Sequence, residues 1–229
     1  MLKTIKTVAF DADDTLWENE NHFQEAQKQF CRLVSPWLSS ETAEEELFKT
    51  EMSNLELFGY GAKGFTLSMI ETALRVSENK IPAKAVRQLL NAGKHLLSWP
   101  PHLLPHAKEV LMALQGKYRL VLATKGDLWD QQRKLRQSGL QPFFSHVEIM
   151  SDKKPQDYVR LMNKLNEKPE CFLMVGNSLK SDVLAPMETG AYAIHVPYHV
   201  TWKHECIREP NSLHLLKAED LREVLRFLL

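Results

Sequence analysis

The chain has 229 residues, 44% hydrophobic and 25% charged, an ordinary globular composition that suits one large domain or a domain with a sizeable insert. Lys plus Arg and Asp plus Glu both number 29, so the formal net charge is zero, and no basic cluster is interleaved with aromatics; this argues against a nucleic-acid partner. Cys31, Cys171 and Cys206 lie far apart with no CxxC pair, which argues against a zinc site or disulfide framework and fits a reducing, cytoplasmic setting; no apolar stretch has the length of a signal peptide or membrane span, so no membrane partner is expected.

The first element is a short apolar strand, Val8-Ala9-Phe10, which ends in Asp11, Asp13 and Asp14. Helical spacing follows through Phe23, Ala26, Phe30, Leu33 and Val34, with Pro36 as the break. Thr42 and Glu45 match a capping box that opens a helix to about Leu57. Gly59-Tyr60-Gly61-Ala62-Lys63-Gly64 reads as a loop, with a third helix over Thr66–Ser77 and a fourth from Pro82 to before Trp99-Pro100-Pro101. Residues 18–100 therefore read as an all-helical block.

From Leu104 helices and strands alternate. Ala107, Val110, Leu111 and Leu114 mark a helical face, and Arg119–Thr124 reads as a buried strand. A polar helix over Leu128–Ser138, a short strand at His146–Ile149 and a helix from Pro155 follow. Phe172–Val175 is a strong strand, then come a helix to about Glu188, the strand Tyr192–Val196 and a last helix burying Leu221, Val224, Leu225 and Leu228. This alternation implies an α/β fold: a Rossmann-like, doubly wound parallel sheet with helices on both faces. Such sheets bind ligands beyond the carboxyl ends of their strands, so the residues there carry the chemistry.

Those positions hold Asp11 and Asp13, then Thr124-Lys125-Gly126-Asp127, then Ser151-Asp152-Lys153-Lys154-Pro155, then Gly176-Asn177-Ser178-Leu179-Lys180-Ser181-Asp182. Carboxylates alone would suggest a metal. Carboxylates with Lys, Thr and helix N-termini suggest a metal and a phosphate together. An EF-hand would need Gly at the sixth and Glu at the twelfth position from Asp11, where Leu16 and His22 stand. His195 reads as a satisfied core histidine, and Tyr198, His199, Trp202 and His204 as a packed, partly polar loop.

These clusters resemble the four motifs of the haloacid-dehalogenase-like superfamily, within it the phosphatases, over essentially the whole chain. Asp11-Ala12-Asp13-Asp14-Thr15 matches DxDxT, Thr124 the strand-closing Ser or Thr, Lys154-Pro155 the third-motif Lys, and Gly176–Asp182 the acidic loop of the GDSxxxD kind. The resemblance implies a discontinuous catalytic core over 1–17 and 101–229 and a C1-type helical cap over 18–100. It implies that Asp11 is the nucleophile forming an aspartyl-phosphate and Asp13 the general acid and base. Thr124 and Lys154 would bind and neutralise the phosphoryl group, with Lys125 and the cap residues Tyr60 and Lys63 as further substrate contacts. Mg²⁺ would be held by Asp11, Asp13 through its main-chain carbonyl, Asn177 and Asp182. Asn177 stands where the family usually has Asp, which predicts weaker metal binding. The implied activity is hydrolysis of a small phosphorylated metabolite of nucleotide, sugar phosphate or phosphoglycolate type. The alternatives are a phosphosugar mutase and a catalytically weakened binding or regulatory member, and monomer and homodimer both stay open.

Overall fold

The computed structural model describes residues 4–229, so the first three residues of the expected core segment lie outside it. Among the described residues six strands form one sheet: β1 (Thr7–Phe10), β2 (Arg119–Lys125), β3 (His146–Met150), β4 (Phe172–Gly176), β5 (Tyr192–His195) and β6 (Leu215–Lys217). Their order is β3-β2-β1-β4-β5-β6 and every pairing is parallel. The chain therefore winds outward from β1 in one direction, then returns and winds in the other. The switch point lies between β1 and β4, where such sheets place their ligands.

Residues of a strand alternate between faces. Val8 and Phe10 of β1, Leu120 and Leu122 of β2 and Leu173 and Val175 of β4 share a buried cluster with Val110, Leu111 and Leu114 of α5 (Ala107–Leu114). Ala9, Val121 and Met174 face the other way, onto Tyr158, Leu161 and Met162 of α7 (Pro155–Leu165). A sheet covered on both faces needs apolar residues throughout its central strands, which is why β1 and β4 are buried along their whole length.

The chain divides into two compact units, Met1–Glu20 with Pro101–Leu229, and Asn21–Pro100. The second unit is built from α1 (Glu20–Val34), α2 (Ser40–Phe58), α3 (Ala62–Val76) and α4 (Ala83–Ser98). Phe30, Leu47, Met69 and Leu89 are fully buried in its own core. Gly93 of α4 lets that helix press on α3, since a Cβ there would lie 2.0 Å from the Thr66 hydroxyl. In the first unit, the backbone segments on either side of the helical insertion are joined. Trp17 bridges to Leu103 in antiparallel fashion. Glu18 N–H donates to His102 C=O at 3.0 Å and Leu104 N–H to Leu16 C=O at 2.9 Å.

Several elements differ from the sequence reading. The cap of α2 is Ser39, whose hydroxyl accepts Thr42 N–H at 3.2 Å, so Thr42 is an N-terminal donor rather than the cap. The glycine loop is shorter: Gly59 and Gly61 have positive φ, but Lys63 and Gly64 already belong to α3. The segment after β4 opens as a π-helical turn, Leu179–Leu184, before a short α8 (Ala185–Met187). Strand β6 lies in a segment with no expected strand, and the last helix α9 (Val224–Leu228) follows a 3₁₀ turn at Leu221–Glu223. The remaining helix is α6 (Leu128–Ser138). Among the described residues no helix is long and apolar enough to cross a membrane.

Candidate active site

Asp11 is the first residue after β1, and its N–H donates to Val175 C=O of β4 at 2.9 Å, which fixes it at the switch point. The chain then turns sharply. Leu16 N–H donates to Ala12 C=O, Asp14 N–H to Trp17 C=O, and Asp14 takes a left-handed φ of 61°. That turn sends the three carboxyls to different partners. Asp14 accepts the N–H groups of Asn19 and Glu20 at 2.8 and 3.0 Å, so it secures the start of α1. Burial, then the nearby Asp13 charge, push its carboxyl up to about 7.

The Asp11 carboxylate is buried. Its Oδ1 accepts Lys153 Nζ at 2.5 Å and its Oδ2 lies 3.0 Å from the Thr15 hydroxyl. The same hydroxyl accepts Asn177 N–H at 3.1 Å and lies 3.2 Å from Asn177 Oδ1, which ties the first motif to the fourth. Lys153 also donates to Asp182 Oδ1 at 2.7 Å. The other Asp182 oxygen accepts Ser178 N–H at 3.0 Å. Gly176 makes room for this arrangement, since a Cβ there would stand 2.4 Å from the Asp182 carboxyl. Two buried carboxylates thus share one ammonium. Burial and then the Asp182 charge push Asp11 up to about 7, against the pull of Lys153. Burial opposes charge on Lys153, but the two carboxylates outweigh it and raise its pKa above the ordinary lysine value.

The third-motif lysine differs from the expectation. Lys154 is largely exposed, at 69% for its side chain, and pairs with Asp152 at 3.1 Å. Its neighbour Lys153, with 1% side-chain exposure, is the one between Asp11 and Asp182. Lys154 has an extended backbone as the N-cap of α7, a conformation in which neighbouring side chains point to opposite sides, and its side chain faces solvent while that of Lys153 is buried.

Asp13 lies apart from this cluster. Its Oδ1 accepts Trp17 Nε1 at 2.6 Å and Lys134 Nζ at 2.6 Å, and its Oδ2 accepts Gln131 Nε2 at 3.0 Å. Gln131 Nε2 also reaches the Thr124 hydroxyl at 2.7 Å. Thr124 is the last residue but one of β2, which runs one residue past the expected end to Lys125, and it is buried. Lys125 Nζ donates to Ser181 Oγ at 3.0 Å and pairs with Glu205, which in turn accepts the Ser178 and Ser181 hydroxyls. Burial opposes charge on Glu205, but Lys125 and the two hydroxyls hold its carboxyl down at about 2. Tyr158 of α7 donates to Ser181 C=O at 2.8 Å from below. The His195 ring lies 2.9 Å from Asn177 C=O, a satisfied half-buried position. The Tyr198–His199 and Trp202–His204 rings pair with centroids at 4.2 and 4.9 Å.

Asp11, Asp13, Thr124, Asn177 and Asp182 thus gather at the carboxyl ends of β1, β2 and β4. Tyr60 and Lys63 belong to the other unit, just before and within the first turn of α3. Lys153, Lys134, Gln131 and Glu205 join the site without having been singled out in the sequence. Only Lys153 had an accessible signal there, as the other half of a Lys-Lys pair.

A divalent cation fits these residues. The Asp11–Lys153–Asp182 cluster sets two buried carboxylates against one ammonium. Among the described residues no three His, Cys, Asp or Glu side chains form a metal cluster. The Asp11 carboxylate and the Asn177 amide oxygen instead meet at the Thr15 hydroxyl, at 3.0 and 3.2 Å. Such a set suits a hard cation that keeps several of its waters.

The haloacid dehalogenase-like hydrolase model matches residues 5–186. The chain belongs to that family. It is similar to a haloacid dehalogenase-like family hydrolase from Xanthomonas campestris of known structure, with a TM-score of 0.88 and 36% identity over 98% of this chain and 92% of that one. It is also similar to the glyceraldehyde 3-phosphate phosphatase of Methanopyrus kandleri, at 25% identity over 84% of each chain. The phosphoglycolate phosphatase of Vibrio cholerae is 28% identical over 86% of each chain.

Proposed function

We propose that this family member is a divalent-cation-dependent phosphatase of small phosphorylated metabolites, working through an aspartyl-phosphate on Asp11. The observation that carries the reading is the separation of the two aspartates. Asp11 faces Lys153 and the fourth motif, while Asp13, two residues on, is held by an independent set of donors. One carboxyl can then attack while the other moves a proton. The relatives named for glyceraldehyde 3-phosphate and phosphoglycolate support a substrate of a few carbons.

In this reading an Asp11 oxygen attacks phosphorus as the bond to the leaving oxygen breaks. Asp13 gives that oxygen its proton. Asp13 then takes a proton from the water that attacks the phosphorus of the aspartyl-phosphate and frees Asp11. Lys153 replaces Lys154 in the role of charge neutralisation, and Thr124 hydrogen-bonds a phosphoryl oxygen. Lys125, engaged by Glu205 and Ser181, supports the fourth-motif loop. The cation, Mg²⁺ by its hard oxygen donors, would be held by Asp11, the Asp13 main-chain carbonyl and Asn177. Asp182 would act through Lys153. When bound, the cation neutralises charge on the phosphoryl group. The helical unit serves as a cap, with Tyr60 and Lys63 as its substrate contacts.

The test is hydrolysis of a generic aryl phosphate with and without Mg²⁺, by wild type and Asp11→Asn. Metal-dependent turnover that vanishes in the variant is expected. A folded wild type inert in Mg²⁺ would overturn the reading in favour of a mutase or a non-catalytic role.

A further inference from the structure

Two residues of α6 outside the four motifs converge on Asp13. Lys134 has a side chain only 10% exposed, and its ammonium lies 2.6 Å from Asp13 Oδ1 and 3.1 Å from Asn19 Oδ1. Gln131 is buried, and its amide nitrogen touches Asp13 Oδ2, the Thr124 hydroxyl and Lys125 C=O at 3.0, 2.7 and 3.0 Å. We propose that Lys134 and Gln131 are positioning residues for proton transfer by Asp13. They lock its carboxyl in one orientation and, through Gln131, in register with Thr124.

The inference rests on the assignment of Asp13 as general acid, and its physical basis is specific. An aspartate on a turn has two free side-chain torsions. Donors on only one of its oxygens would leave the carboxyl able to rotate. Here Lys134 and Trp17 hold Oδ1 and Gln131 holds Oδ2, so both torsions are fixed. A proton donor must meet the leaving oxygen within hydrogen-bond reach, and small misplacements are costly. The buried Lys134 charge also faces the negative charge that develops on Asp13 as its proton passes to the leaving oxygen, in surroundings that screen it weakly. A buried ammonium is expensive to keep. Asp130, its other acidic neighbour, is 3.9 Å away and is engaged more closely by Arg133 at 2.7 Å. Asp13 is therefore the principal partner of Lys134.

The experiment measures kcat/KM for two phosphate esters on the same enzyme preparation: 2,4-dinitrophenyl phosphate, which leaves without needing a proton, and a simple alkyl phosphate, which needs one. The ratio of the two rates is independent of how much of the sample is folded. Lys134→Met is expected to depress the alkyl ester about tenfold or more beyond its effect on the dinitrophenyl ester, within the range that proton transfer contributes. Lys134→Arg is expected to restore much of the ratio. Equal losses on both esters would overturn the proposal and leave Lys134 a structural residue. Should Lys134→Met not fold, Gln131→Met reads the same ratio through the other carboxyl oxygen. Asp13→Asn serves as the reference. If it shows no leaving-group dependence in an otherwise active enzyme, the assignment of Asp13 fails, independently of the behaviour of Lys134.

Discussion

Lys153 and Lys154 are adjacent, identical in chemistry and opposite in fate. Lys153→Met removes the ammonium that bonds both Asp11 and Asp182, and activity should fall about 100-fold or more, as for loss of a charge-stabilising donor. Without metal, the same variant leaves two buried carboxylates facing each other, a defect worth about 3–5 kcal/mol that melting in chelator would register. Lys154→Ala removes an exposed pair with Asp152, and its activity should stay within about twofold of wild type. Measured side by side, the two substitutions assign the third motif. The first motif was readable because Asp11, Asp13 and Thr15 lie within five consecutive residues and their turn is local. The lysine was not, because the Lys-Pro spelling favours Lys154 whereas the direction of the chain entering α7 decides. Gln131 and Lys134 were less accessible still: they sit on a polar helix whose inner face is defined only once β2 lies beside β1.

Elements depend on close approaches that one methyl group would spoil. Gly93→Ala drives a Cβ into Thr66, whose hydroxyl already donates to Ala62 C=O, and should destabilise the helical unit by about 1–3 kcal/mol. Denaturant unfolding would read this. Gly176→Ala meets Asp182 instead of a helix neighbour, so it should cost activity as well as stability. The long elements were legible because their periods are clear: the apolar runs of β2 and β4 and the 3.6-residue face of α7. The exceptions have physical reasons. Three residues of β6 are too few to display a period. The wider π turn at Leu179–Leu184 follows from no propensity; it coincides with the placement of Asp182 on Lys153. The start of α2 moved because Ser39 can cap as well as Thr42 can.

At the scale of the whole molecule, opposite pKa shifts shape the stability of the metal-free protein. Asp11 and Asp14 rise from 3.8 to about 7, so the folded chain holds protons that the unfolded chain has lost, and their contribution to stability declines as pH rises from about 4 to about 7. Glu205 falls from 4.5 to about 2, so its contribution is present above 4.5 and is lost as pH drops toward 2. Asp14→Asn keeps an acceptor for Asn19 and Glu20 without the charge. In chelator it should melt above wild type at pH 8 and level with it at pH 4. The paired backbone at Leu16–Glu18 and His102–Leu104 has another consequence. Both ends of the helical insert meet at one seam, so bridging that gap calls for only a tight turn and little loop-closure entropy. The insert is thereby a cassette, open to exchange by recombination without disturbing the sheet. The seam is not neutral, however: Trp17, which bridges it, also donates to Asp13, so any graft that alters Trp17 changes the chemistry along with the cassette.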